Sequence, residues 1–150
     1  MTDREIQYKL NAATAKDVAA HLEICSNNFV PPLNNTVIIE AYAEKIAKKS
    51  ITFEAWNGQE LVGMVAAYIN DAANCTAYIT NVSTVNSFSG QGIGKNLLKM
   101  CADYALEKGF REIILEVNSQ NHTAVKLYEK NNYRLINTKE KMAIMKKLLP

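Results

Sequence analysis

The stretch from Cys75 to Val117 constrains the fold more than any other part of the chain. Residues 75–85, CTAYITNVSTV, are rich in β-branched and aromatic side chains and read as a strand. Glycines at 90, 92 and 94 follow. Residues 92–108 then carry helical spacing, with Ile93, Leu97, Cys101, Tyr104 and Ala105 on one face and Gly109 placed to stop the helix. Residues 112–117, EIILEV, read as another strand. A strand–helix–strand crossover closes right-handed and makes its two strands parallel. The glycine turn sits at the helix start, where free backbone N–H groups and the helix dipole form a site for an anion.

The remaining segments surround this unit. Residues 5–10 alternate and read as a short strand. Thr14 is placed to cap a helix running to Cys25, with Asp17 at its third position. The consecutive prolines at 31 and 32 make Phe29–Leu33 a loop, and Thr36 can cap a second helix to about Lys49. Two β-rich runs, 51–56 and 60–69, flank Asn57-Gly58, the strongest short hairpin signal. Asp71 to Asn74 is a second turn. Asn121 caps a helix to about Lys130, and residues 133–136 and 141–146 read as closing strands. The order β-α-α-β-β-β-α-β-α-β-β predicts one domain over residues 1–150 of the α/β (α+β) class. It has a mixed, mostly antiparallel twisted sheet of six to seven strands and four flanking helices. A chain of 150 residues can bury about two-thirds of its unfolded surface, enough for one core.

Charge and cysteine content exclude several functions. The balance of 17 basic and 15 acidic residues gives +2, too even for a nucleic-acid or membrane-surface footprint. Cys25, Cys75 and Cys101 are odd in number with no CxxC, and read as reduced thiols of a cytoplasmic protein. Residues 1–5 lack the apolar run of a signal peptide, and Leu61–Ile69 is too short to span a bilayer. No metal-ligand spacing occurs. The glycine turn fails as a Walker loop, because Ser89 and Asn96 stand where Gly and Ser/Thr are needed. It also fails as a dinucleotide fingerprint, since Lys95 and Leu97 occupy the last glycine position in its two registers.

Downstream of the turn lies Asn121-His-Thr-Ala-Val-Lys-Leu-Tyr-Glu-Lys-Asn-Asn-Tyr133. Together with Ser89-Gly-Gln-Gly-Ile-Gly94, it resembles the two signature motifs of the GNAT superfamily of acetyl-CoA-dependent N-acetyltransferases. The element order matches from about residue 5 to 148. Two positions depart from that pattern: Ser89 replaces the usual Arg or Gln, and Asn132 replaces the usual Gly before the aromatic Tyr133. Asn tolerates the left-handed conformation better than most residues.

The resemblance implies a sheet splayed at its fourth and fifth strands, with a bulge placed at Asn81. It implies that Gln91, Gly92, Ile93, Gly94 and Lys95 cradle the pyrophosphate of CoA, within the motif that begins Ser89-Gly90. It implies that the backbone of Val82, Ser83 and Thr84 pairs with the pantetheine arm, and that Asn121 contacts the same arm besides capping its helix. The reaction it implies is direct attack of a primary amine in a ternary complex. Such an attack needs a neutral amine, a stabilised oxyanion and a protonated leaving thiol. Tyr128 takes the place of the acid, and a main-chain N–H at the bulge that of the oxyanion donor.

Glu116 interrupts an apolar strand twelve residues before Tyr128, a spacing similar to the ribosomal-protein alanine acetyltransferases of the superfamily, where the glutamate is a candidate base. A water path past Tyr78, Thr80 or Asn81 is the alternative. His122 and His21 are weaker candidates for a role, Trp56 and Tyr68 read as packing residues, and Lys141, Lys146 and Lys147 as a solvated strand face. A catalytically silent CoA-binding regulatory module is the rival reading, because of Ser89. The acceptor is expected to be a small-molecule amine or a peptide N-terminus, chosen by residues 25–50. Asn27, Asn28, Phe29, Pro31, Pro32, Asn34 and Asn35 there suit a small polar acceptor such as an amino sugar or amino acid. No nucleic-acid or membrane partner is expected, and a homodimer is compatible with the sequence.

Overall fold

The change from helical to two-residue period at Ile51 marks the sheet's interior. The computed structural model describes residues 5–150. Among these residues seven strands form one sheet: β1 (Gln7–Leu10), β2 (Ile51–Asn57), β3 (Glu60–Asp71), β4 (Thr76–Thr84), β5 (Glu112–Asn118), β6 (Arg134–Lys139) and β7 (Met142–Leu148). Their order is β1-β2-β3-β4-β5-β7-β6. Neighbours are antiparallel except β4 and β5, which run parallel as the crossover demands. Four α-helices accompany them among the described residues: α1 (Ala15–Cys25), α2 (Ile39–Lys49), α3 (Ile93–Glu107) and α4 (His122–Lys130).

Local chemistry sets the element ends. Thr14 and Asp17 form a reciprocal capping box at α1. Gly58 turns the β2–β3 hairpin at φ +62°, and Gly109 ends α3 at φ +85°. The start of α2 differs from expectation. Thr36 does not cap it; its hydroxyl donates to Leu33 O at 3.0 Å and closes a 3-10 turn over Leu33–Asn35. The helix therefore begins at Ile39. The first strand is also shorter than expected, starting at Gln7.

Alternation along the strands builds two cores. On one face Phe53, Ala55, Val65, Ile79, Ile113 and Leu115 pack with Leu97, Leu98 and Cys101 of α3 and with Tyr128 of α4. On the other, Trp56, Met64 and Ala66 meet Val18 and Leu22 of α1 and Ala43 and Ile46 of α2. At Gly63 a Cβ would lie 2.6 Å from Ile93 Cγ2, so glycine is what lets α3 approach the sheet. The buried Glu54 carboxylate accepts from Ala12 N, Ala13 N, Thr52 Oγ1 and Trp56 Nε1. These four donors offset its desolvation and pin the β1–α1 connection to the sheet. Trp56 and Tyr68 pack as expected: Trp56 is buried, and Tyr68 stacks on Tyr78 with ring centroids 6.5 Å apart.

The sheet comes apart in one place. β4 and β5 pair only from Thr76↔Glu112 to Ile79↔Leu115. At that point β4 carries an extra residue: Ile79 faces Ala67 and Asn81 faces Ala66, leaving Thr80 without a partner on β3. The bulge thus falls one residue before its expected place at Asn81. Beyond it β4 stays with β3 and β5 stays with β7, so the sheet splays between its fourth and fifth strands.

Candidate active site

The glycine turn reaches the split from the α3 side. Gly90 and Gly92 have φ of +76° and +79°, and a Cβ added at either would meet nothing within 4 Å. Open space therefore lies along the turn. Gly92 is the N-cap of α3 and supplies no capping side chain, so the N–H groups of the first helical turn carry no side-chain acceptor. Gly94 brings α3 against α4: a Cβ there would sit 3.2 Å from Leu127 Cδ2.

One cleft of about 780 Å³ runs from this turn through the split to the α1–α2 connection. Of the residues expected to hold a cofactor, Val82, Ser83 and Thr84 line the β4 wall. Ser89, Gly90, Gly92, Ile93, Gly94 and Lys95 line the glycine end, and Asn121 and Tyr128 line the α4 wall. Gln91 is exposed and is not among the lining residues. The Ser89 hydroxyl donates to Asn86 O at 2.7 Å. The Asn121 side chain accepts from Ala124 N at 3.3 Å, so it caps α4 and borders the cleft at once.

The two candidate catalytic groups flank the opening from opposite faces. Tyr128 belongs to the α3–α4 core, edge-on to Tyr133 at 5.9 Å between centroids. Burial pushes its phenol pKa well up, which keeps the proton in place at neutral pH. Glu116 lies on the other face, exposed and bordering the cleft. It accepts from Tyr78 Oη at 3.4 Å, and Tyr78 stacks on Tyr68 beneath Lys45 of α2. Burial, and then the Glu116 carboxylate, push the Tyr78 phenol up to about 12.

His122 is exposed and does not border the cleft. Lys146 and Lys147 are not simply solvated: Lys146 pairs with Glu112 at 3.2 Å, and Lys147 donates to Asn131 O at 3.1 Å. Their strand-face alternation gave no sign of these partners, which come from β5 and the end of α4.

A polar group on the α1–α2 side was not legible as such in the sequence. Tyr42 of α2 donates to the Thr80 carbonyl at 2.8 Å, with Thr80 Oγ1 also at 2.8 Å. His21 of α1 is buried, with Nδ1 2.9 Å from Leu61 O and Nε2 2.8 Å from Ser83 Oγ. Ser83 Oγ is 2.9 Å from the Asn81 side-chain amide, which also reaches Tyr42. Burial lowers the His21 pKa to about 4. The only local signal was a polar His at a helix position whose neighbours Val18, Leu22 and Cys25 are core. On the acceptor side Asn28, Phe29, Val30, Pro31, Leu33 and Thr36 border the cleft. Asn27, Pro32, Asn34 and Asn35 do not.

Comparison with known proteins gives the family and the fold. The family model described as Acetyltransferase (GNAT) family matches residues 17–133. Over 86 residues the chain is 27% identical to GCN5-related N-acetyltransferase 6, chloroplastic, of Arabidopsis thaliana, covering 57% of this chain and 30% of that protein. The chain spans about a third of the length of the curated relatives it matches. Two solved structures share the fold. The PaiA N-acetyltransferase of Thermoplasma acidophilum in complex with coenzyme A superposes at TM-score 0.73, with 18% identity over 95% of this chain and 99% of that one. The ribosomal-protein-S18-alanine N-acetyltransferase of Escherichia coli superposes at 0.74, with 17% identity over 95% and 94%.

Proposed function

The chain belongs to the acetyltransferase (GNAT) family, the acetyl-CoA-dependent N-acetyltransferases, and from that premise we propose that it moves an acetyl group from acetyl-CoA to a primary amine. The acceptor is a small polar molecule or a peptide N-terminus, and the attack is direct, with both substrates bound. One observation carries the reading. The glycine-turned start of α3 and the unpaired end of β4 open into one cleft, with Tyr128 and Glu116 on either side of the split.

The residues present suit CoA. Positive-φ glycines with clear space beside them leave the first-turn N–H groups open to a pyrophosphate, and Lys95 adds charge at the rim. The backbone of Val82–Thr84, parted from β5, offers an edge to which an amide-bearing arm adds like a strand. Once bound, acetyl-CoA supplies an activated thioester. The chain's own groups do the rest. Glu116 takes the proton of the incoming ammonium, directly or through water beside Tyr78. Main-chain N–H groups at the Thr80 bulge donate to the carbonyl oxygen, and Tyr128 gives its proton to the departing sulfur.

Ser89 supports a second reading, a CoA-binding module without turnover, since its hydroxyl is held by Asn86 and it brings no charge. A thiol-release assay with a panel of amines separates the two. Turnover that falls at least tenfold in Tyr128→Phe, with CoA affinity retained, is expected of the enzyme. CoA binding without turnover of any amine would establish the module.

A further inference from the structure

The α1–α2 side of β4 holds a chain of polar groups that the two family motifs do not include. It runs from Leu61 O through His21, Ser83 and Asn81 to Tyr42 and ends on Thr80, the bulge residue. His21, Ser83 and Asn81 are all buried, with exposures of 2%, 6% and 3%. In a buried place a polar chain of this kind persists only when its members satisfy one another.

Proton counting makes the arrangement specific. Leu61 O only accepts, so Nδ1 of His21 must carry a hydrogen. A neutral imidazole then has a bare Nε2, which takes the Ser83 hydroxyl proton. Ser83 has one hydroxyl hydrogen and two neighbours able to take it, His21 Nε2 at 2.8 Å and Asn81 Oδ1 at 2.9 Å. Given to His21, it leaves Ser83 Oγ as an acceptor; the Asn81 amide then turns its N–H end to Ser83 by a half-turn about χ2 and its oxygen to Tyr42, whose hydroxyl hydrogen it shares with the Thr80 carbonyl. Each link fixes the next, from α1 to the bulge.

We propose that His21 is a positioning residue for the acetyl transfer. Through Ser83 and Asn81, with Tyr42 as the second tether, it holds the backbone of Thr80–Ser83 in its bulged shape at the split between β4 and β5. This rests on the acetyl-transfer reading above, because that segment is where the reacting arm would lie. His21 neither borders the cleft nor takes a proton from substrate. Its contribution is shape.

The test has two arms. In the first, imidazole ¹⁵N shifts of the wild-type protein at pH 7 are expected to show neutral His21 with hydrogen on Nδ1. An imidazolium, or hydrogen on Nε2, overturns the proposal. In the second, Ser83→Ala is expected to lower kcat about tenfold and to move the backbone amide shifts of residues 80–83. Ser83→Thr, which keeps the hydroxyl, should recover kcat to within about threefold. His21→Leu combined with Ser83→Ala should cost little more than either alone. If His21→Leu does not fold, the two Ser83 variants decide. Unchanged kcat and unmoved amide shifts in Ser83→Ala overturn the proposal. If wild-type protein binds CoA but acetylates no amine, the transfer reading fails, and the holding of the bulge is judged by the ¹⁵N and amide shifts alone.

Discussion

Two residues decide how far the family's chemistry carries over. Glu116 is exposed and borders the cleft, so its carboxylate bears no burial cost. If it is the base, Glu116→Gln should lower kcat about a hundredfold with little change in acceptor KM. A preserved rate in steady-state assays hands the role to water beside Tyr78. Ser89 sits at the glycine end with its hydroxyl turned to Asn86. An arginine there would regain a charge-assisted phosphate contact, so Ser89→Arg should tighten CoA binding severalfold by calorimetry. Unchanged or weaker binding would show that backbone amides and Lys95 already saturate the site. Tyr128 and Glu116 were both singled out by motif and spacing. That they stand on opposite faces of the sheet was not, because it depends on which face α4 packs against, and that is a contact between elements far apart in the chain.

At the level of elements, what matters is how closely α3 lies on the sheet. Gly63 of β3 is buried beneath α3, and a methyl group there would meet Ile93 Cγ2 at 2.6 Å and Leu97 Cδ1 at 3.2 Å. Ile93 opens α3 and lines the cleft. Gly63→Ala should therefore destabilise by about 1–3 kcal/mol in chemical denaturation and weaken CoA binding as well, since α3's first turn must shift. Equal stability would mean that Ile93 changes rotamer freely. Helix and strand existence was readable throughout, because the periods are clean and Thr14, Gly109 and Asn121 punctuate them. The start of α2 was not. Thr36 has the right chemistry for a cap, but the turn after Pro32 consumes its hydroxyl.

For the whole molecule, the buried imidazole sets a pH dependence. His21 has its pKa lowered from 6.5 to about 4 by burial. The unfolded chain thus binds a proton that the folded one refuses between those values. Stability from this group is full above about pH 6.5, declines as pH falls, and is lost by about pH 4. The difference corresponds to about 3 kcal/mol. Thermal melts between pH 7 and 4 should show this loss, and His21→Leu, if folded, should lack that part of the slope. A flat profile in the wild type would mean that His21 is not neutral in the folded protein. Among the described residues no helix is long and apolar enough to cross a membrane.

The order of elements, the parallel crossover and the glycine turn at the start of α3 follow from local pattern, and Tyr128 and Glu116 were picked out by their resemblance to the family's motifs. Hydrophobic period, capping chemistry and motif spacing are properties of neighbours along the chain. The cleft itself is not such a property. It exists because β4 gains one residue against β3 at Thr80 and parts from β5, and because α1 and α2 deliver His21 and Tyr42 to that point from 62 and 38 residues away. Contacts over that distance depend on strand register and helix packing, which only the assembled sheet determines.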